Sequence, residues 1–450
     1  MSPELQTKAP ARLMLRVLRF GLLLCTLSTA HPWGAVSSQA FMGDTEGVLG
    51  LDGSIRTLFF LLDQDGTYPF SRKNEVDALS QTILRLTALG RPTDSLAYEV
   101  HWVQVVTAGS QRISGGQDFS VFTRNVPRYR VFDAGWDVLE KENAFSSVFW
   151  DRFNVKWAPE WGDITLGRQA ITFGKAYFWN PLDVFFPFDA GQFDREYKPG
   201  VDALRVDIPL GLFSGINLVG SAGPRLGIGE GASGDNAPED ASWYGSALLG
   251  RVFSNVKEWD VAFQGGKIFG GWQVGAGAVG DMGPVQMRGE MAGFWAVQSE
   301  DLPFPLEGKL MEDQFTAVLG AGRRFENSFS LDFEYLFNGG GDPDHLNEAL
   351  VRTQFGSSLQ MGRHFLGWLA RYEFKPIVTG QCAVIHSLSD GSAQVQPILF
   401  ISLSDEMDLL VGSTLTFGEA PGNAESSFPK IQSEFGTFPN SIFFEWKFYF

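Results

Sequence analysis

The sequence predicts an all-β chain: a transmembrane antiparallel up-and-down β-barrel of about 16 strands, within a range of 14–18. Three observations lead there. In the last stretch, Ile442, Phe444, Trp446, Phe448 and Phe450 alternate with Ser441, Glu445 and Lys447, and Phe443 and Tyr449 join the polar side. Successive strand side chains point to opposite faces, so one face is apolar and aromatic while the other is charged. Second, segments of this kind recur along the chain, separated by Gly, Pro, Asn and Asp. Third, beyond residue 40 no apolar run approaches the roughly 20 residues that a membrane-crossing helix needs.

The chain begins with a different pattern. Lys8, Arg12, Arg16 and Arg19 precede the short apolar run Phe20 to Leu27, and small residues follow at Ser28-Thr29-Ala30 and Ser38-Gln39-Ala40. That order is a secretory signal peptide, residues 1–40, with cleavage after Ala40 or, alternatively, Ala30. Cys25 does not make it a lipoprotein signal, because Leu24 stands where such signals need a small residue. One barrel domain, 41–450, is expected to follow.

Composition supports this division. The whole chain carries −17, and residues 1–40 hold four basic residues and Glu4, net +3, which leaves −20 for the remainder. Mean hydropathy is −0.04, as expected where every second residue faces water. The chain has 52 Gly, 40 Phe and 13 Trp, which suit turns, close strand packing and aromatic girdles. Beyond the signal the only cysteine is Cys382, so neither an internal disulfide nor a thiolate metal site is available. The acidic balance argues against nucleic acid, which rewards clustered Lys and Arg.

Taken in order, the candidate strands are 48–60, 81–89, 95–107, 145–157, 163–173, 201–209, 212–220 and 243–253, then those around Trp259, Trp272 and Val285. Those at 314–325, 328–337, 358–374 and 395–403, the run from Met407 and the C-terminal segment complete the series. Ser328 to Phe337 is among the clearest, with Phe329, Leu331, Phe333, Tyr335 and Phe337 against Ser328, Ser330, Asp332 and Glu334. Long connections are expected at 221–241, 299–313, 338–350, 375–394 and 418–438, and tight turns near 270 and 282. Long loops on one rim and short turns on the other are the outer-membrane arrangement. At roughly 24 residues per strand and connection, 410 residues give about 16–18 strands. A barrel that wide leaves an aqueous passage unless something fills it.

The most individual stretch is 151–207. It contains Asp151-Arg-Phe-Asn-Val-Lys-Trp157, Leu166-Gly-Arg-Gln-Ala-Ile-Thr-Phe-Gly174, Asn180-Pro-Leu-Asp183, Phe186-Pro-Phe-Asp189 and Phe193-Asp-Arg-Glu-Tyr-Lys-Pro-Gly-Val-Asp202. This pattern resembles porin-like outer-membrane families related to the alginate-export barrels, with Phe173 where many relatives carry Trp. The final Phe450, with Trp446 and Phe448, likewise resembles the C-terminal signature that the barrel-assembly machinery reads. The resemblance implies a channel in the outer membrane of a Gram-negative cell. It does not imply a particular cargo.

The residues of this stretch carry their own expectation. Pro181, Pro187 and Pro199 break ladder pairing, and Phe185, Phe186 and Phe188 give the segment a reason to pack. A connection folded against the wall or into the lumen follows. Candidate lumen and constriction residues are Arg168, Gln169, Lys175, Asp183, Asp189, Asp194, Arg195, Glu196 and Lys198. Opposed charges there would either set a transverse field across a constriction or pin the loop through ion pairs. Ile164 and Leu166 share parity with Arg168, so either Gly167 carries a bulge that switches faces or the register breaks.

Catalysis would need a histidine beside a serine or an acid pair, and His101, His345, His364 and His386 show no such spacing. No enzyme, cofactor or metal is expected; Asp342 and Asp344 are too few for a calcium loop. The expected function is passive diffusion of small hydrophilic solutes through an outer-membrane channel. The alternatives are an exopolysaccharide export conduit and a non-conducting surface barrel that binds a ligand. Expected partners are outer-membrane lipid, the assembly machinery, small solutes and, through a less lipid-like face such as 275–280, two further copies in a homo-trimer.

Overall fold

Each amphipathic run pairs with its neighbour in sequence. The computed structural model describes residues 49–63, 76–110, 128–225, 241–422 and 430–450. The signal-peptide stretch and both cleavage sites lie outside the described residues. The strands are β1 (Gly50–Asp63), β2 (Val76–Thr93), β3 (Leu96–Gly109), β4 (Gly135–Lys141), β5 (Ala144–Trp157), β6 (Asp163–Gln169), β7 (Val201–Gly211), β8 (Ser214–Ser221), β9 (Ala247–Val256) and β10 (Trp259–Ile268). They continue as β11 (Gly271–Met282), β12 (Val285–Ala296), β13 (Gln314–Arg324), β14 (Ser330–Asn338), β15 (His364–Lys375), β16 (Val378–Ser387), β17 (Ala393–Ser404), β18 (Met407–Phe417) and β19 (Asn440–Tyr449).

The ladder closes on itself. β1 pairs with β2 on one edge and with β19 on the other, from Ser54 opposite Tyr449 to Asp63 opposite Asn440. The short β4 covers the first half of one edge of β5, and β6 covers the second half. The wall is therefore an antiparallel barrel of 18 strands. Closure pairs both edges of the long strands, which a sheet needs in order to cross a bilayer, and leaves only the outer edge of the short β4 without a strand partner among the described residues.

The side-chain alternation places the two solvents. On β19, Ile442, Phe444 and Phe450 are exposed outward, while Ser441, Glu445 and Lys447 are buried inside. Elsewhere Leu248, Phe263, Val274, Met291, Phe315 and Leu319 are exposed, whereas Gln264, Gln273, Glu290 and Glu334 are buried. A soluble sheet has the reverse distribution; a lipid-facing wall has this one. Exposed aromatics gather toward both ends, Trp272 and Trp295 side by side near one rim, and Trp157, Trp161 and Phe374 near the other.

Connections alternate in length round most of the barrel, but the turn at 270 departs from the expectation. It joins β10 to β11 on the rim that bears the long loops, while the turn at Gly283 lies on the opposite rim. Two successive hairpin turns cannot share a rim. The expected connection 375–394 is largely a strand: β16 places Ala383, Ile385 and Ser387 inward against Cys382, Val384 and His386 outward. Polar residues on both faces blur its alternation. The strand expected over 163–173 stops at Gln169, the one expected over 358–374 starts only at His364, and the connection after β14 contains helix α1, Leu346–Gln354.

The lumen is packed from within. One buried cluster joins Ile171, Phe173 and Phe185 of the β6–β7 connection to Val201, Val219 and Leu249 of the wall. A second joins Phe178 and Trp179 to Val318, Leu336 and Phe365, and a third brings Phe193 against Phe60 and Phe443. Burial that a soluble domain obtains between layers is obtained here between the wall and its connections, chiefly the inward-folded β6–β7 segment, with Tyr129, Leu302, Met311 and Phe435 contributed by others.

Candidate functional site

The connection between β6 and β7 turns into the barrel because its last strand residues turn it. Gly167 has φ +118°, and a Cβ there would stand 2.3 Å from the Phe153 carbonyl oxygen, so only glycine fits. Leu166 is exposed to the outside and Arg168 is 2 % exposed, although the two share parity. The ladders to β5 and β7 run unbroken through Gly167, so no bulge switches the faces there, and Arg168 is buried beneath the Trp150 and Phe132 carbonyls to which it donates. Arg168 then lies opposite Asp202 of β7, with Nε and Nη2 donating to its carboxylate at 2.7 and 3.0 Å. Gln169 donates to the carbonyls of Thr165 and Ala203 and closes the strand end.

From there residues 170–200 cross the lumen and touch the wall in turn. Glu290 of β12 accepts the main-chain N–H groups of Lys175, Ala176 and Leu182, the last two at 3.0 and 3.3 Å. Glu334 of β14 accepts those of Tyr177 and Phe178 at 2.5 and 2.7 Å. Leu182 sits on Gly275 and Gly277 of β11, where added Cβ atoms would meet it at 2.4 and 2.9 Å. Gln264 and Gln273 donate to the carbonyls of Leu182 and Pro181. Farther on, Gln396 of β17 donates to Gly191, and Phe193 stacks on Phe443 of β19 at 4.2 Å. Tyr197 lies under the guanidinium groups of Arg56 and Arg85 before the chain rejoins the wall at β7.

The charged candidates are largely consumed in holding this path. Lys198 Nζ donates to Asp183 Oδ1 at 2.6 Å; burial pushes the Asp183 carboxyl up and the Lys198 ammonium down, and their mutual attraction opposes both shifts. Asp194 meets Arg56 and Lys447, and Glu196 accepts from Lys447 at 2.8 Å and from the Tyr449 hydroxyl at 3.0 Å. Arg195 spends its guanidinium on the carbonyls of Tyr177, Asp189, Ala190 and Gln192. Asp189 accepts the N–H of Gly191. Of the two expectations the pinning pairs are what the geometry displays.

The loop nevertheless keeps a wet side. Thr172, Lys175 and Glu196 remain exposed inside the barrel, and half-buried charges of the wall, Glu99, Arg152, Arg205 and Asp207, face the same space. Arg251 stacks on Phe173 and is held by Asn217, and Arg371 is held by Gln381 and Tyr177. Above the loop a half-open recess of about 960 Å³, solvent-filled mouth included, is bounded by Arg128, Phe186, Phe269, Phe294, Gln314 and Phe355.

Sequence reading missed the most connected residues. Glu334 stands on the polar face expected of its strand without being singled out there, and Glu290 lies on the corresponding face of β12. Their signal was weak: a carboxylate on a strand otherwise filled with Gly, Ala and aromatics. Asp202, quoted only within a motif, turned out to be the partner of Arg168. The rim histidines serve elsewhere: His364 bonds Tyr335 on the outer face at 2.8 Å, and His101 lies buried between Arg85 and Glu99.

No family model and no curated protein matches the chain. Solved structures do. OccAB2 of Acinetobacter baumannii matches with a TM-score of 0.53 at 8% identity, covering 89% of this chain and 98% of that one. OccK8 (OprE) of Pseudomonas aeruginosa matches with a TM-score of 0.52 at 10% identity, covering 89% and 98%. OccAB3 of Acinetobacter baumannii gives 0.52 at 10% identity, covering 89% and 99%. At such identities the likeness is one of fold: this chain has the barrel architecture of the Occ proteins.

Proposed function

We propose that this protein is a porin-like channel of the Gram-negative outer membrane that passes small hydrophilic solutes by passive diffusion. One observation carries this reading. The closed 18-strand wall is apolar outside and charged inside, and the β6–β7 connection folded into it narrows the lumen while keeping a solvated flank. The Occ barrels that share its architecture are outer-membrane porins. The mechanism needs no covalent step: a solute enters the recess, passes the loop along the side bearing Lys175 and Glu196, and meets the half-buried charges of the wall. Rings of charge in a wide pore discriminate solutes by sign and size.

In this reading Arg168, Gln169, Asp183, Asp189, Asp194, Arg195 and Lys198 shape the constriction by pinning the loop, and Lys175 and Glu196 meet the solute. Trp446, Phe448 and Phe450 would serve the assembly machinery, as their outward stack allows, half-buried at Trp446 and Phe448 and exposed at Phe450. The kinship with alginate-export barrels rests on residues 151–207 alone. A polysaccharide conduit needs a clear lumen lined by cations, and a loop packed through three apolar clusters argues for small solutes instead. A trimer would have to use a small outward face here: in the 275–280 run, Gly275 and Gly277 point inward onto Leu182, and Ala276, Ala278 and Gly280 share the outward parity.

Conductance of the purified protein in planar bilayers tests the proposal. Steps of current in simple electrolyte are expected. Silence at every voltage, from protein that shows the folded shift on unboiled gels, would favour the ligand-binding barrel.

A further inference from the structure

We infer that Glu290 and Glu334 are the positioning residues that set the bore, by gripping the main chain of the inward connection rather than its side chains. The inference rests on the channel reading above and names what fixes its narrowest part.

Both carboxylates are buried in the wall, at 3 % and 0 % exposure. A buried carboxylate is tolerated only where donors satisfy it. Glu334 has Arg288 Nε at 2.6 Å in addition to the N–H groups of Tyr177 and Phe178. The hydrogen bonds of Glu290 all come from main-chain N–H groups, those of Lys175, Ala176 and Leu182. Four consecutive amides, 175–178, are thus divided between two carboxylates on strands separated only by β13. A run of adjacent N–H groups forms an anion-binding concavity, and here the anions are supplied by the wall.

The other side of the same elbow is closed by Arg195, which donates to the Tyr177 carbonyl and to three carbonyls farther along the loop. The elbow is therefore held by N–H groups outward and by a carbonyl inward. Leu182 seats the next turn on Gly275 and Gly277. Lys175, at the start of the grip, has its side chain exposed in the lumen. Where the carboxylates hold the elbow decides how far that side chain reaches across the passage. A glutamine at either position keeps one acceptor oxygen and turns an NH2 group toward the remaining N–H donors, so the shape is kept and the grip is weakened.

Glu290→Gln and Glu334→Gln are made separately, so that either carries the test if the other fails to assemble. Each is read in two ways. The first is single-channel conductance and its open-state noise. The second is labelling of Ala176→Cys, in a Cys382→Ser background, by a membrane-impermeant thiol reagent. Labelling is expected to rise about tenfold or more, the scale on which losing the acceptor of buried N–H groups shifts an equilibrium. Larger, noisier conductance is expected with it. Unchanged labelling and conductance in a correctly folded variant would overturn the inference. If the parent protein does not conduct at all but labelling still rises, the carboxylates position the loop and the channel reading is what fails.

Discussion

Arg168 and Asp202 face one another across the β6–β7 ladder, joined by two hydrogen bonds and almost completely withdrawn from solvent. The Asp202 carboxylate also accepts the N–H groups of Val131 and Phe132, and Arg168 donates to the Phe132 carbonyl. The pair therefore anchors both ends of the inward loop and part of the preceding connection. Removing one partner leaves an uncompensated buried charge, which costs about 3–5 kcal/mol. Arg168→Met should accordingly lower the temperature at which the folded band converts on unboiled gels. Arg168→Met with Asp202→Leu should recover part of the loss, but not all, because two N–H groups lose their acceptor.

Leu182 is the apolar peg of the loop. Leu182→Ala should cost the loop about 2–5 kcal/mol of packing, the usual range for a buried leucine. The strand ladders are untouched, so barrel melting should stay near the parent value while current noise increases. Gly277→Leu should produce the same noise by the opposite route, since its side chain would occupy the place of the peg. A quiet, parent-like current from both variants would contradict the docking described here.

Gly167→Ala should reduce the yield of assembled barrel. The substitution meets both a positive φ and a main-chain oxygen, so no rotamer relieves it. Quantifying the heat-modifiable fraction after refolding checks this; parent-level yield would mean that the backbone at 167 tolerates a side chain.

Glu434 lies in the β18–β19 connection, outside the strands. Burial pushes its carboxyl up to about 8 from 4.5, and Asp390 and Asp189 push the same way against the N–H groups of Met361 and Gly362. The folded state then holds this proton more tightly than the unfolded chain. Its contribution is full below about pH 4.5 and is lost as pH rises toward 8. The rim loops it joins should loosen over that window. Gln360, with its amide turned to satisfy both neighbours, links Glu434 to the indole of Trp179, so tryptophan emission offers the readout. Parent and Glu434→Gln should diverge with rising pH, and identical profiles would contradict the assignment.

How much of this was legible in the residues differs by element. β19 and β14 were legible because lipid and water impose opposite demands on alternate positions, and Phe443 and Tyr449 were read correctly as inward exceptions. β16 was hidden because Cys382, His386 and Gln381 blur that contrast. The inward loop was legible from Pro181, Pro187 and Pro199 with the phenylalanines between them. Its charges were legible as residues but not as pairs: Lys198 with Asp183 is local, whereas Asp194 with Arg56 and Glu196 with Lys447 join residues more than a hundred positions apart. Glu290 and Glu334 were not legible as site residues, because the loop groups they hold are main-chain amides and no side-chain pattern announces those.

The most direct measurement of the central claim is ionic current through the purified, refolded protein in a planar bilayer, compared before and after Lys175→Glu on the solvated flank of the loop. Discrete conductance steps are expected, with the cation-to-anion permeability ratio raised by the substitution. A barrel that inserts and carries no current, or one whose selectivity ignores the charge at position 175, would contradict a water-filled passage along that flank.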